Sequence, residues 1–366
     1  MIMRMGVMLL NKLKVFEAFS GYRSQSIALR NLGIKHEVVA ISEIDKYAIK
    51  ASEAIQGPVL NLGDISKIDV KDIPEHDLFT YSYPCQSISV AGKQEGMIKG
   101  KTRSGLLYEC ERIIEHCRPK YLLLENVKNL VGKKFKPQFD EWLVYLESLG
   151  YTNYWKVLNA KDHGVPQNRE RVFVVSILGD HKPYKFANKI PLDKCIVDIL
   201  EDEVDEKYYL SEDIQKRFKI TNQNKNIIGT TKPDFRTIGQ RDLVYDKNGI
   251  IGALVATDYK QPKQILDVER TPLKFLNRNG KKTDGQYAFC IDTCHTGGIK
   301  EHYSDGTFRI RKLTPRECFR LMGMRDDDID KIQATGISNT QQYKMAGNSI
   351  VVNVLEAIFK NLFMEG

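Results

Sequence analysis

The sequence lacks any run of about twenty apolar residues, the length that a membrane-spanning helix requires. Its beginning, MIMRMGVMLLNK, lacks the long apolar region and the small-residue cleavage site of a secretory signal. Internal repeats and low-complexity tracts are missing as well. We therefore expect a globular protein of the cytoplasm that has no membrane partner, and its 366 residues suffice for one large domain with a second lobe.

Cysteine is scarce and scattered. The seven cysteines have no framework spacing, which predicts free thiols in a reducing compartment rather than disulfides. Cys290, Cys294 and His295 form a C-x3-C-H cluster, but no second cysteine pair follows at zinc-ribbon spacing. We interpret this cluster as chance and predict no metal site.

An acidic excess is also missing, because 55 Lys and Arg residues outnumber 47 Asp and Glu residues. The resulting formal charge of +8 is moderate for a chain of this length. A basic balance of this size modestly favours a polyanionic partner such as nucleic acid.

From residue 13 to about residue 177, strand-like apolar runs alternate with segments of helical periodicity. This alternation predicts a parallel sheet with helices on both faces. Ligands of such sheets bind outside the carboxyl ends of the strands. Four residues stand at the ends of strand-like runs, and we expect their side chains to line one crevice: Phe19, Glu43, Cys85 and Glu125.

The regular alternation fails between about residues 183 and 309, where Lys, Asn, Asp and Gly are frequent and strand-like pieces such as GALVAT are short. This composition predicts a second, smaller lobe of short strands and long loops. Helical patterns return after Arg311, and the amphipathic helix in SIVVNVLEAIFKNLF is predicted to pack on the first domain. The predicted division is 13–182, 183–309 and 310–366.

The stretch YSYPCQSISVAG, residues 81–92, places a cysteine after an apolar run and a proline, among small polar residues. Structural cysteines usually lie within apolar periodicity, so Cys85 is predicted at the edge of a cleft. Taken alone, this residue is better explained as a thiol at the solvent edge that has no role.

Five short stretches need one explanation: FSGYRSQ (19–25), PCQSIS (84–89), ENV (125–127), QNRER (167–171) and MAGNS (345–349). In this order, and together with RKLTPRECFRLMG and QYKMAGNSIVVNV, they resemble the C5-cytosine DNA methyltransferases. The resemblance extends from Phe16 to about Ile358, apart from the loop-rich lobe. It implies an α/β fold with a doubly wound, mostly parallel, Rossmann-like sheet of the S-adenosylmethionine-dependent methyltransferase type. It also implies a smaller, loop-rich, mainly β target-recognition lobe.

The resemblance implies that a cysteine thiolate adds to C6 of a flipped-out cytosine and thereby makes C5 nucleophilic. It assigns this nucleophile to Cys85, with Pro84 holding the turn. Glu125 matches the glutamate that contacts N3 and the exocyclic amine, and donation at N3 requires a pKa raised by burial. Arg171 matches the arginine that holds the cytosine O2. Asn126 is expected to fix the turn that carries Glu125.

Two further residues of QNRER, Gln167 and Arg169, are expected to organise the site or to contact the backbone. The group that removes the C5 proton is left open between a side chain and an ordered water.

The methyl donor implied by the resemblance is S-adenosylmethionine. Glu43 is expected to accept hydrogen bonds from ribose hydroxyls, and Asp64 matches the residue that reads the adenine amine. Phe19, Ile44 and Ile65 would enclose the adenine ring. The remaining positions assigned to the donor site are Ser20, Gly21, Tyr22, Leu107, Asn348 and Ser349.

The first stretch departs from the family pattern F-x-G-x-G, because Arg23 stands at the second glycine. With a positive φ at this position, a Cβ costs on the order of 1 kcal/mol or more. Either the side chain points to solvent, or it weakens the binding of the cationic donor. We favour a working but weaker site, and this hypothesis predicts that Arg23→Gly tightens donor binding.

Double-stranded DNA is the expected partner of a monomer, bound with strong salt dependence by the second lobe and by a lid over 86–100 with Lys93 and Lys99. A restriction–modification, orphan or phage-protection setting is implied, the first with a cognate restriction endonuclease. Two alternatives stay open. One is the tRNA-cytosine branch of the family, whose target lobe is shorter, and the other is a DNA-binding protein with catalysis weakened by Arg23.

Overall fold

A computed structural model of the protein describes residues 12–84, 103–232, 238–268, 275–276, 282–283 and 308–365. The strands are β1 (Leu13–Ala18), β2 (His36–Ser42), β3 (Leu78–Tyr81), β4 (Tyr121–Val127), β5 (Tyr151–Asn159), β6 (Gln167–Asn168), β7 (Glu170–Leu178), β8 (Lys219–Asn224), β9 (Ile227–Thr230), β10 (Leu243–Tyr245), β11 (Ile251–Gly252), β12 (Gln264–Val268), β13 (Phe275–Leu276), β14 (Lys282–Thr283) and β15 (Phe308–Lys312). The α-helices are α1 (Ser24–Asn31), α2 (Lys46–Gln56), α3 (Leu107–Cys117), α4 (Lys136–Ser148), α5 (Glu212–Gln215), α6 (Pro315–Arg320), α7 (Asp326–Ala334), α8 (Asn339–Asn348) and α9 (Val352–Phe363).

Six strands form the central sheet in the order β2-β1-β3-β4-β7-β5. Strands β2, β1, β3 and β4 are parallel, and β7 runs antiparallel to both of its neighbours. Strands of such a sheet are covered on both faces, which explains why β3 (LFTY) is buried along its whole length. The predicted doubly wound, mostly parallel sheet is confirmed.

Helices cover both faces of this sheet. One face shares a core of buried side chains with α3 and α4, including Phe79, Ile113 and Phe139. Right-handed crossovers change face where the strand order reverses, so α1 lies on the face opposite α3. The final helix α9 packs against α1, and Asn31 Nδ2 donates to Glu356 Oε1 at 2.7 Å. The last helix belongs to the same compact unit as the central sheet.

A second compact unit comprises Cys195–Ile250 and Gln261–Thr314. Its sheet has the strand order β15-β12-β10-β9-β8, and only short helical turns interrupt the loops among its described residues. Leu210, Val244 and Ile310 belong to its small apolar core. The predicted mainly β, loop-rich lobe is confirmed.

The division into units differs from the predicted boundaries. The first unit comprises the chain up to Lys194, Ile251–Lys260 and Pro315–Gly366. The segment 251–260, which was expected in the second lobe, adds β11 to β6 in parallel. Only the first two residues of this segment form a strand, so GALVAT is largely not the strand that the apolar run suggested. Periodicity within a short run cannot reveal which distant strand will accept its hydrogen bonds.

No helix in the described ranges is long and apolar enough to cross a bilayer. Within the same ranges, no three His, Cys, Asp or Glu side chains lie close enough together to hold a metal ion. The cluster Cys290, Cys294 and His295 lies outside the described residues. Four described cysteines are free thiols: Cys110, Cys117, Cys195 and Cys318.

Candidate active site

A cavity of about 340 Å³ lies at the carboxyl ends of β1 to β4, within the range typical of ligand sites. Loops that follow successive strands line it, and they bring Phe19, Glu43, Pro84 and Glu125 to one place. The shared crevice predicted for these strand ends is therefore present. Cys85, which follows Pro84 directly, lies outside the described residues.

Three left-handed residues shape the loop after β1, defined here as loop 19–23. The φ angles of Phe19, Gly21 and Arg23 are 56°, 55° and 63°. Positive φ is unfavourable for a non-glycine residue and persists where the surroundings enforce it. Phe19 N donates to Ser42 O and Arg23 N to Ser20 O, each at 2.8 Å. Backbone hydrogen bonds thus hold the loop in a strained shape against the cavity.

Glu43, at the end of β2, connects this loop to the start of α2. Its Oε2 accepts from Gly21 N, and its Oε1 accepts from the backbone N of Ile44 and of Asp45, each at 2.8 Å. A carboxylate offers about four acceptor positions. Backbone N–H groups of the protein occupy three of these positions on Glu43, so about one acceptor position remains for a hydroxyl in the cavity. Two ribose hydroxyls would need two free positions.

Asp64 lies on the same wall of the cavity. Its Oδ1 accepts from Ser66 N at 3.1 Å and from Ser66 Oγ at 2.8 Å, and these hydrogen bonds lower the pKa of Asp64. The carboxylate is therefore ionised at neutral pH. Phe19, Ile44 and Ile65 line the cavity too, and Ile44 is 75% exposed while Ile65 is buried. Exposure of Ile44 at the opening leaves it accessible to an entering ring.

The opposite wall carries an ion pair on two antiparallel strands, β4 and β7. Arg171 Nε lies 3.1 Å from Glu125 Oε1, and both side chains are largely buried. Burial raises the pKa of Glu125, although the charges of Arg171 and Arg169 and a hydrogen bond from Ser82 act against this. The predicted direction of the pKa shift is thus present. Among the described residues, none accepts from Nη2 of Arg171, which leaves a donor for a ligand.

The chain leading to residue 85 is held at two successive carbonyls. Asn126 Nδ2 donates to Tyr83 O at 3.1 Å, and Ser104 Oγ donates to Pro84 O at 2.7 Å. Asn126 therefore fixes the strand end before Cys85 as well as its own turn. Sequence reasoning missed Ser104, which is fully buried, although it stands three residues before Leu107 in the stretch TRSGLL.

Gln167 and Arg169 organise the chain around the cavity, and Arg169 also lines it. Gln167 is fully buried, and it donates to Leu321 O at 2.7 Å while accepting from Leu254 N at 3.0 Å. Arg169 donates to Leu254 O at 2.6 Å and to Gly347 O at 3.1 Å. Both residues thus bind segment 251–260 to the first unit, which favours the predicted organising role over contact with a nucleic-acid backbone.

Gly347 shows how tightly this segment is packed. A Cβ on Gly347 would lie 2.2 Å from the backbone carbon of Val255, which no side chain tolerates. Glycine at this position of MAGNS is therefore required by the close approach of two backbones.

The remaining donor-site positions divide into two groups. Ser20, Gly21, Tyr22, Asn348 and Ser349 line the cavity, and Tyr22 Oη donates to Ser349 Oγ at 2.6 Å. Leu107 does not line it, because its side chain is 3% exposed within the apolar core that α3 shares with the sheet. The preceding residue, Leu106, lines the cavity instead.

The observed position of the Arg23 side chain differs from both alternatives considered from the sequence, a side chain in solvent and a side chain close to the cationic donor. Its φ is positive, but the side chain points neither to solvent nor into the cavity, since it is 3% exposed and absent from the lining. Its Nη2 donates to Ser52 O at 3.1 Å and to Gly57 O at 2.9 Å, at the end of α2. The guanidinium is therefore directed away from any cationic ligand.

Comparison with known proteins agrees with this site. The family described as C-5 cytosine-specific DNA methylase matches residues 13–364. The type II methyltransferase M2.ScrFI of Lactococcus lactis subsp. cremoris is 38% identical over 96% of this chain and 99% of its own length. The orphan methyltransferase M.SPRI of Bacillus phage SPR is 34% identical over 96% of this chain and 98% of its own.

Solved structures show the same fold at low identity. The S. pombe Dnmt2 methyltransferase covers 96% of this chain and 98% of its own, with a TM-score of 0.67 and 19% identity. The Entamoeba histolytica methyltransferase EhMeth covers 97% of this chain and 99% of its own, with a TM-score of 0.69 and 18% identity.

Proposed function

Since the chain belongs to the C-5 cytosine-specific DNA methylase family, we propose that it transfers a methyl group from S-adenosylmethionine to C5 of a cytosine flipped from duplex DNA. One observation carries the assignment of residues. A single cavity has an acidic, loop-built wall on one side, the Glu125–Arg171 pair on the other, and Pro84 at its edge. The next residue along the chain is Cys85, the nucleophile of this proposal.

The donor side of the cavity fits S-adenosylmethionine by its chemistry. Glu43 has an acceptor position left for one ribose hydroxyl, and ionised Asp64 can accept from the adenine amine. Phe19, Ile44 and Ile65 supply apolar surface for the adenine ring. When bound there, the donor supplies a methyl group activated by its sulfonium. Loop 19–23 presents no side-chain cation to that charge, because Arg23 is directed to α2.

The target side would stabilise charge on the ring after Cys85 attacks C6. A buried Glu125 with a raised pKa can hold a proton and donate it to N3, while its other oxygen accepts from the exocyclic amine. No acceptor in the described part of the chain occupies Nη2 of Arg171, which can donate to O2, and a fixed cation in a buried wall stabilises developing negative charge. After methyl transfer, loss of the C5 proton lets the Cys85 sulfur leave C6.

We extend the proposal to partners. A target base within a duplex is out of reach of any fixed side chain, so base flipping is required. The net charge of +8 and the separate β-rich unit support duplex DNA as the partner. A restriction–modification or phage setting, as in the names of the relatives, would add a cognate endonuclease in the first case. We propose a monomer that acts in the cytoplasm.

Covalent trapping tests this proposal. Bisulfite sequencing of DNA from expressing cells first identifies the methylated site. A duplex carrying 5-fluorocytosine at that site should then become covalently attached to the protein in the presence of donor, and peptide mapping should locate the bond at Cys85. Cys85→Ala should give no adduct. An unmodified protein after prolonged incubation would contradict the proposed nucleophile.

Transfer of a radiolabelled methyl group to plasmid DNA and to tRNA separates the substrates. Label in DNA alone supports the proposal, and label in tRNA alone would overturn the choice of DNA. An absence of label in both, together with retained DNA binding, would indicate a DNA-binding protein without catalysis.

A further inference from the structure

Arg23 and Gln56 join loop 19–23 to the far end of α2. Besides the two hydrogen bonds from Arg23 Nη2 to α2, Gln56 Nε2 lies 3.4 Å from Tyr22 O and 3.2 Å from Arg23 O. The carbonyls at a helix C-terminus carry partial negative charge, which a buried guanidinium satisfies. The loop and the helix end therefore hold each other.

The near end of α2 is joined to the same loop through Glu43. This carboxylate accepts from Gly21 N in the loop and from Asp45 N, the residue that caps α2. Loop 19–23 is thus attached to both ends of one helix. A shift of α2 at its far end would be transmitted to Glu43, to Gly21 and to the strained backbone at Phe19.

A buried carboxyl group lies in the central sheet, in the neighbourhood of Arg23. Glu17 on β1 is fully buried, and burial raises its pKa although the charge of Arg23 and hydrogen bonding to Ser26 act against this. Among the described residues, neither carboxyl oxygen has a partner with full hydrogen-bond geometry, and no ion pair joins Glu17 to Arg23. Thr80, its register partner on β3, also has a buried hydroxyl without a partner there. The mechanism proposed above uses neither Glu17 nor Arg23.

We propose that Arg23 is a positioning residue of the donor site, because it replaces the flexibility of a glycine with an anchor from loop 19–23 to α2. This inference rests on the proposed function, since it presupposes that the cavity binds S-adenosylmethionine. It reverses the expectation from sequence, because removal of Arg23 should weaken donor binding rather than tighten it.

Titration calorimetry with S-adenosylhomocysteine and steady-state kinetics test the inference on the full chain. Arg23→Gly should weaken ligand binding and raise the KM for the donor at least tenfold, while kcat and the DNA dissociation constant change less than about threefold. Arg23→Lys, which keeps one cationic donor, should recover part of the affinity. Leu146→Ala, a truncation of a core side chain on α4, controls for a general loss of stability and should leave the donor KM unchanged.

Two failures can be told apart. If the parent binds S-adenosylhomocysteine and Arg23→Gly binds it equally well or more tightly, the inference about Arg23 is wrong and the proposed function stands. If the parent does not bind S-adenosylhomocysteine, both are overturned.

Discussion

The two walls of the cavity are built by different means. The donor wall consists of loop backbone, in which Phe19 and Gly21 adopt positive φ, with strain at Phe19, and Glu43 accepts three backbone N–H groups. The target wall consists of opposite charges, Glu125 and Arg171, buried on neighbouring strands. Ligand binding at the donor wall therefore depends on the shape of the backbone, whereas the chemistry at the target wall depends on protonation and charge. Substitutions on each wall should therefore change different measured quantities.

Glu125→Gln should have the largest effect. It removes the acid that serves N3, so kcat should fall about 100- to 10,000-fold, the usual range for general acid catalysis. Binding of S-adenosylhomocysteine should remain within about threefold of the parent value, because the donor wall is untouched. Single-turnover methylation and calorimetry measure the two quantities. A matched loss of donor affinity would show that the walls are not independent.

Glu17→Gln should change the pH dependence of stability. Burial raises the pKa of Glu17 from 4.5 to about 7, so the folded protein binds this proton more tightly than the unfolded chain. The stabilisation is complete below pH 4.5 and is lost as the pH rises through 7. Between pH 5 and 8, the parent should therefore lose about 2 to 3 kcal/mol of unfolding free energy relative to the variant. Urea denaturation at several pH values measures this, and parallel curves would refute the buried titration.

Glu43→Gln should act on the donor wall alone. An amide NH2 group at one of the two oxygen positions would face backbone N–H donors, and hydrogen bonds to a charged acceptor are worth about 1.5 to 3 kcal/mol. Binding of S-adenosylhomocysteine should weaken about 10- to 100-fold. Association with duplex DNA without donor, measured by fluorescence anisotropy, should stay at the parent value. A defect in DNA binding instead would assign Glu43 to the wrong wall.

Ser104→Ala should have the smallest effect. It removes one neutral hydrogen bond to Pro84 O, worth about 0.5 to 1.5 kcal/mol. We expect the rate of 5-fluorocytosine trapping to fall about two- to tenfold, with donor affinity unchanged. Ser66→Ala, which removes a hydroxyl from Asp64, is the matched control, because it should affect donor affinity and leave the trapping rate at saturating donor unchanged.

Much of the site followed from the order of motifs. Glu43 and Glu125 lie in the cavity because the carboxyl ends of parallel strands meet at one edge of a sheet. Arg171 reaches the same edge from the start of antiparallel β7, which pairs with the carboxyl end of β4. The cavity position assigned to Leu107 belongs to Leu106, one residue earlier. A motif match does not specify which of two leucines at a helix start faces the cavity and which faces the core. Ser104 was missed, because a single hydroxyl carries no pattern until the carbonyl that it contacts is known.

The amino-acid order alone determined the alternating strands and helices, the family motifs and the chemical types available to the site, because these depend on local periodicity and on residue identity. Tertiary structure alone decided the direction of the Arg23 side chain, the transfer of segment 251–260 to the first unit, and the pKa of Glu17. Each of these depends on groups distant along the chain, whose proximity sets burial and hydrogen bonding, and local sequence does not encode that proximity.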